Sequence, residues 1–188
     1  MPAQMVTHWG ANGHPNGYSS RMFGVFFMPV LLFLLAWLFI AIPRIDPLKK
    51  NLKMSIRFYD MIVYAVLLFL LAVQFYMYLQ NKGAKLHIEI FVTIGVSVLF
   101  FVIGIALPHL KRNFFAGIRT PWTLSDDTVW EKTHEIGGKV FIISAFLILI
   151  TLIAPRYFLT ILIIVIIFAA VYPILYSYFL YEKLHRTR

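Results

Sequence analysis

Gly117-Ile118-Arg119-Thr120-Pro121-Trp122-Thr123-Leu124-Ser125-Asp126-Asp127-Thr128-Val129-Trp130 is the longest polar interruption in a very apolar chain. Proline fixes its own φ and pushes the residue before it toward extended geometry, so Thr120-Pro121 gives the stretch a rigid start. A helix-start signal follows. Ser125 reads as the N-cap, and Asp126 and Asp127 fall in the first turn, where the helix dipole favours negative charge. From there Trp130, Thr133, His134, Gly137, Gly138 and Phe141 recur at helical spacing and share one face. That helix runs without a break into an apolar run beginning near Val140. The stretch therefore predicts a short ordered loop and a helix that enters a membrane.

Composition agrees. Of 188 residues, 61% are hydrophobic and 13% charged, with a mean hydropathy of +0.80. Those values lie well beyond a soluble domain. Apolar runs of about 20 residues recur, the length needed to cross a bilayer. They predict an all-α, polytopic membrane protein with about five transmembrane helices, near residues 23–42, 61–79, 88–107, 138–154 and 157–181. A polar segment, 1–22, precedes a single membrane domain, 23–181. A motif loop, 109–137, lies within it, and a basic tail, 182–188, ends the chain. In the polar segment, Asn12, Gly13, Pro15, Asn16 and Gly17 read as a run of turns rather than a helix. Pro29 is expected to bend the first span or delay its start, and Pro173 to kink the last.

Lys and Arg set the orientation. Arg21, Lys82, Lys85 and Arg156 fall on one side of the membrane. Arg44, Lys49, Lys50, Lys53, Arg57, Lys111, Arg112, Arg119, Lys132, Lys183, Arg186 and Arg188 fall on the other. The bias places the N-terminus outside the cell membrane, and the motif loop and C-terminus in the cytoplasm. It also explains the net charge of +9 as a topology signal beside headgroups rather than a nucleic-acid surface. Trp37, Tyr76, Tyr78, Tyr157 and Tyr181 lie near span ends, where amphipathic rings settle. The chain has no cysteine, hence no disulfide and no thiolate metal site.

Each polar cluster has a structural and a functional reading. On the outer side, His8, Trp9, Asn12, Gly13, Gly17 and Tyr18 form either a small binding surface or a tail that packs its aromatics on the membrane. In the motif loop, Arg119 either pairs with Asp126, Asp127 or Glu131, or binds an acidic group of a partner. Trp122 and Trp130 read first as rings of an interfacial plug at the headgroups, and otherwise as a recognition surface. The histidines show neither HExxH nor paired spacing, so neither metal nor cofactor is expected. No Asp, Glu, Lys or Arg sits at the centre of a span, which weighs against ion-coupled transport. Thr93, Ser97, Gly95 and Gly104 read as helix-packing positions. The chain is read as non-enzymatic. Transport or export of a hydrophobic compound, and a role as an assembly subunit, stand as alternatives.

Gly117-Ile118-Arg119-Thr120-Pro121-Trp122-Thr123-Leu124, with Trp130, Thr133, His134, Gly137 and Gly138, closely resembles the motif of the SdpI family of bacterial membrane proteins. Thr7-His8-Trp9 with Asn12-Gly13-His14-Pro15-Asn16-Gly17-Tyr18 resembles that family's extracytoplasmic segment. The family usually carries one more membrane helix before this segment, giving six spans; that helix is absent from this sequence. The resemblance implies immunity to a secreted peptide toxin of the sporulation-delaying type, coupled to signalling in which a cytoplasmic repressor is held at the membrane. The partners it implies are the lipid bilayer, a peptide toxin outside and a repressor protein inside, with no direct contact to nucleic acid. The outer segment would sense the toxin. The motif residues Gly117, Arg119, Thr120, Pro121, Trp122, Thr123, Trp130, Thr133, His134 and Gly138 would form the inner docking surface.

Overall fold

A computed structural model of the protein describes residues 1–10 and 13–186. Among the described residues, five helices are long and apolar enough to cross a membrane. They are α1 (Arg21–Ile45), α3 (Ile56–Asn81), α4 (Ile88–Ala106), α6 (Asp127–Leu149) and α7 (Phe158–His185). Two short helices, α2 (Lys49–Met54) and α5 (Pro121–Ser125), lie in the connections at one end of the bundle. The all-α membrane architecture expected from composition is the architecture found. Helix α1 runs through Pro29 and two residues past Pro43, so neither proline ends it. Helix α7 likewise continues through Pro173.

The N-terminal segment differs from its expectation. It is an antiparallel hairpin of β1 (Gln4–Trp9) and β2 (Pro15–Ser20) rather than a run of turns. The strands lack the strict alternation that announces a half-buried sheet, because their burial comes from the helices beneath them. Met5 is fully buried over Gly24, where a Cβ would meet the Met5 sulfur at 2.9 Å. Asn81, at the end of α3, grips Val6 as another strand would: the Val6 N–H donates to Oδ1 at 2.8 Å and Nδ2 donates to the Val6 carbonyl at 3.0 Å. Trp9 meets Tyr76 edge-on at 5.5 Å. Tyr76 is therefore buried under the hairpin and stacked on Phe91, not an interfacial ring. Asn81→Ala removes both bonds to Val6, each contributing about 0.5–1.5 kcal/mol. Hydrogen exchange should then show at least a roughly tenfold loss of protection at Val6 with the helices unchanged. Unchanged exchange there would mean that the hairpin is held by something else.

The membrane interior is held by small and mildly polar residues, as lipid offers no hydrophobic drive between helices. Helices α4 and α6 share the most extensive contact. They cross at Gly104 and Gly138, where a Cβ on either would meet the other's carbonyl oxygen at 2.8 and 2.7 Å. Ser97 donates to the Ala145 carbonyl at 2.6 Å, and Thr93 pairs with Thr151 at 2.6 Å. These are the packing roles the spacing suggested. Gly95 instead faces the Phe69 ring of α3.

Candidate functional site

The motif loop is built on side-chain bonds to backbone. Thr120 caps α5 reciprocally with Thr123: Thr120 Oγ1 accepts from the Thr123 N–H at 3.1 Å, and the Thr120 N–H donates to Thr123 Oγ1 at 2.9 Å. Pro121 follows at the first helical position, where its missing N–H costs nothing. Thr123 Oγ1 also donates to the Ile118 carbonyl at 2.8 Å, and Thr120 Oγ1 pairs with Ser177 Oγ of α7 at 3.0 Å. Because Thr120-Pro121 starts this single turn, Ser125 falls at its end and the cap of α6 moves on by one residue. Asp126, not Ser125, accepts from the Val129 N–H, at 2.9 Å.

Helix α6 then presents its marked face inward. Trp130 is 1% exposed and donates Nε1–H to the Leu110 carbonyl at 2.7 Å. His134 stacks on it at 4.0 Å between ring centres. The histidine's tautomer follows from its partners. The Ile118 N–H donates to Nε2 at 3.0 Å, so the proton sits on Nδ1 and donates to the Trp130 carbonyl at 2.8 Å. The ring is thus a neutral bridge between the motif loop and its own helix. Gly117 has φ +103°, in the region that favours glycine, and a Cβ there would run into His134 Nε2. Thr133, Gly137 and Gly138 are also buried.

These positions correct the reading of the tryptophans. Trp130 is a core residue, neither a headgroup ring nor a recognition surface. Trp122 is half-buried, edge-on to Tyr178 of α7 at 5.1 Å. Arg119 is corrected as well. Among the described residues it pairs with none of the three acids proposed for it. Asp127 pairs with Arg112 at 2.9 Å, Glu131 with Lys111 at 3.1 Å, and Asp126 lies 3.6 Å from His185 Nε2. Arg119 instead donates Nη1–H to the Phe114 carbonyl at 2.8 Å and stays exposed. Helical spacing put the acids within reach of any nearby cation, and the fold of the loop decided which one arrived.

Two residues that hold the loop carried no sequence signal. Asp46 is 2% exposed and accepts from the Leu48 N–H at 2.6 Å and the Phe114 N–H at 3.0 Å. Asn113, fully buried, accepts from the Phe115 and Ala116 N–H groups and donates to the Lys111 and Ala116 carbonyls. Both meet backbone across loops, so no periodicity announces them.

The outer candidate residues gather around the hairpin. His8 Nδ1 and Asn16 Oδ1 lie 2.6 Å apart. Gly17 packs on the His8 side chain, and Tyr18 is exposed. Gly13, at φ +74°, lies against the Glu89 carboxylate. Asn12 lies outside the described residues. The hairpin and the motif loop occupy opposite ends of the bundle.

Fold and sites together define a multi-pass α-helical membrane protein with an ordered hairpin at one end and a braced polar motif at the other. Residues 109–177 match the model of the SdpI/YfhL protein family, and residues 1–33 match a domain of unknown function (DUF1648). The chain is 26% identical to "Immunity protein SdpI" of Bacillus subtilis (strain 168), an alignment covering 100% of this chain and 88% of that protein. These matches make the chain similar to the SdpI family, most directly over residues 109–177. No solved structure matches it.

Proposed function

We propose that this chain is a membrane immunity protein or sensor for a secreted peptide toxin. The observation that carries the reading is its likeness, over its whole length, to a protein named for immunity. The architecture supports it by offering two built faces at opposite ends of one bundle. The hairpin, with His8, Trp9, Gly13, Gly17 and Tyr18, faces outward and meets the peptide. The loop around Arg119 and Trp122 faces the cytoplasm and offers a docking surface for a repressor. Arg119 suits that role because it is exposed and free of any ion pair among the described residues. The orientation follows from four Lys and Arg on the hairpin side against twelve on the motif side.

The deciding experiment is survival. The chain is produced in a sensitive bacterium challenged with a peptide toxin of the sporulation-delaying type, beside Arg119→Ala at equal membrane abundance. Protection by the parent, reduced about tenfold or more in the variant, is the expected result, since a charged contact to a partner contributes about 1.5–3 kcal/mol. No protection by the parent would remove the immunity reading. Orientation is tested separately in single-cysteine variants. Ser19→Cys should react with an impermeant thiol reagent on intact cells and Ser125→Cys should not; the reverse pattern would invert the topology.

A further inference from the structure

Beneath the hairpin, between β1 and the ends of α1 and α3 that it covers, lies a cavity of about 210 Å³. Phe23, Phe27, Met28, Val73 and Met77 give it apolar walls, and none of its lining side chains is charged. Two further lining residues, Trp9 and Gln74, each carry a buried polar atom with no partner: Trp9 Nε1, which can only donate, and Gln74 Oε1, which can only accept. The identity of the Gln74 oxygen is fixed by its other end. Nε2 donates to the Gly24 carbonyl at 3.3 Å, so Oε1 is the atom left over. Gln74 is 5% exposed, and such buried groups are costly to leave unpaired.

The chemistry of this set narrows the occupant. An acyl chain fills the apolar walls and pairs neither polar atom. Water pairs both but gains nothing from five apolar side chains. A peptide segment supplies a carbonyl and an N–H on neighbouring units, with apolar side chains beside them. Phe23 and Phe27, stacked at 4.7 Å and about half exposed, stand between the cavity and the bilayer. A ligand dissolved in the membrane therefore meets them first. Displacing that pair opens the cavity to it.

We propose that this cavity binds a neutral, apolar peptide segment, one side chain against the aromatic and methionine walls, a carbonyl accepting from Trp9 Nε1 and an N–H donating to Gln74 Oε1. The proposal rests on the peptide-toxin reading for the source of the segment, and on the cavity for its chemistry.

The test uses the full chain in phosphatidylcholine nanodiscs and a probe, N-acetyl-photoleucyl-leucine amide. Light should attach the probe to fragments containing residues 23–28 and 73–77. Val73→Phe narrows the cavity and leaves both polar side chains in the chain; it should lower that labelling about tenfold. Unlabelled N-acetyl-leucyl-leucine amide should compete. Its analogue with an ester oxygen in place of the central N–H should compete about tenfold less well against the parent chain, and as well as the amide against Gln74→Leu. Labelling spread over the lipid face and indifferent to Val73→Phe would overturn the proposal. So would equal competition by amide and ester in the parent, or a diazirine fatty acid that labels the same fragments with the same dependence on Val73→Phe. The two readings separate cleanly. Cavity labelling without survival leaves the site and removes the toxin reading. Survival that persists in Val73→Phe, without cavity labelling, removes the site and leaves immunity.

Discussion

Trp130→Ala is expected to destabilise the protein by about 3–5 kcal/mol, whereas Trp122→Ala costs about 1 kcal/mol. The two tryptophans stand eight positions apart in one motif and look alike in sequence. Their surroundings differ. Truncating Trp130 opens a cavity among Leu110, Leu107 and the Ile42–Leu52 cluster, leaves the Leu110 carbonyl without its donor, and takes away the ring that His134 lies on. Truncating Trp122 loses one edge-on contact with Tyr178 on a half-buried surface. Unfolding of the purified variants in mixed micelles against increasing SDS separates them. Equal midpoints would mean that Trp130 does not hold the inner end of the bundle. The comparison also sorts phenotypes: lost protection in Trp130→Ala reports lost fold, while lost protection in Trp122→Ala at normal abundance reports a lost contact with a partner.

The second large effect belongs to the α4–α6 crossing. Gly138→Ala places a Cβ 2.7 Å from both the Gly104 carbonyl oxygen and the Pro108 ring, atoms that move only if the helices move. The expected cost is about 1–3 kcal/mol, and more for Gly138→Val. Gly104→Ala meets the Gly138 carbonyl at 2.8 Å and the Ile142 N at 2.9 Å and should cost as much. The double variant should cost less than the sum, because the first substitution already separates the helices for the second. Gly95→Ala should be milder, since its obstacle is the Phe69 ring, a side chain rather than backbone. The same SDS titration reads all five. A Gly138→Ala chain as stable as the parent would mean that the backbones do not touch at this point.

The sequence made one face of α6 legible. Trp130, Thr133, His134, Gly137 and Gly138 share a helical stripe by spacing alone, and all five are buried. Their partners were not legible, because those partners are backbone groups: the Leu110 carbonyl, the Ile118 N–H and the Gly104 carbonyl. A pattern of side chains reports which surface turns inward and is silent about which main-chain atom waits there. The same limit hid Asp46 and Asn113. The hairpin escaped for a related reason, since Met5 is buried by Gly24 and Asn81 binds Val6 across 75 positions, contacts that leave no mark on strand alternation. The shift of the α6 cap from Ser125 to Asp126 is smaller. Both are good capping residues, and only the turn begun by Pro121 decides between them.

The way α1 is attached has a mechanical consequence. Only Gly24 and Ile42 of its 25 residues are buried within the bundle, against ten of the 23 in α6. Its tethers lie toward its two ends: the hairpin and the Gln74–Gly24 bond at one, the Tyr59 hydroxyl on the Phe39 carbonyl and the Asp46 clasp near the other. Helices α4 and α6, by contrast, are interlocked along their lengths by touching backbones and hydroxyl bonds, and α7 packs its apolar side chains on Ile148 of α6 and is tied through Ser177 to Thr120. The molecule is therefore a stiff frame with one lightly hung strut. A load applied at the hairpin passes to α3 through Asn81 and to α1 through the chain itself, and the far end of that strut is Asp46, which holds the loop of Phe114, whose carbonyl in turn holds Arg119.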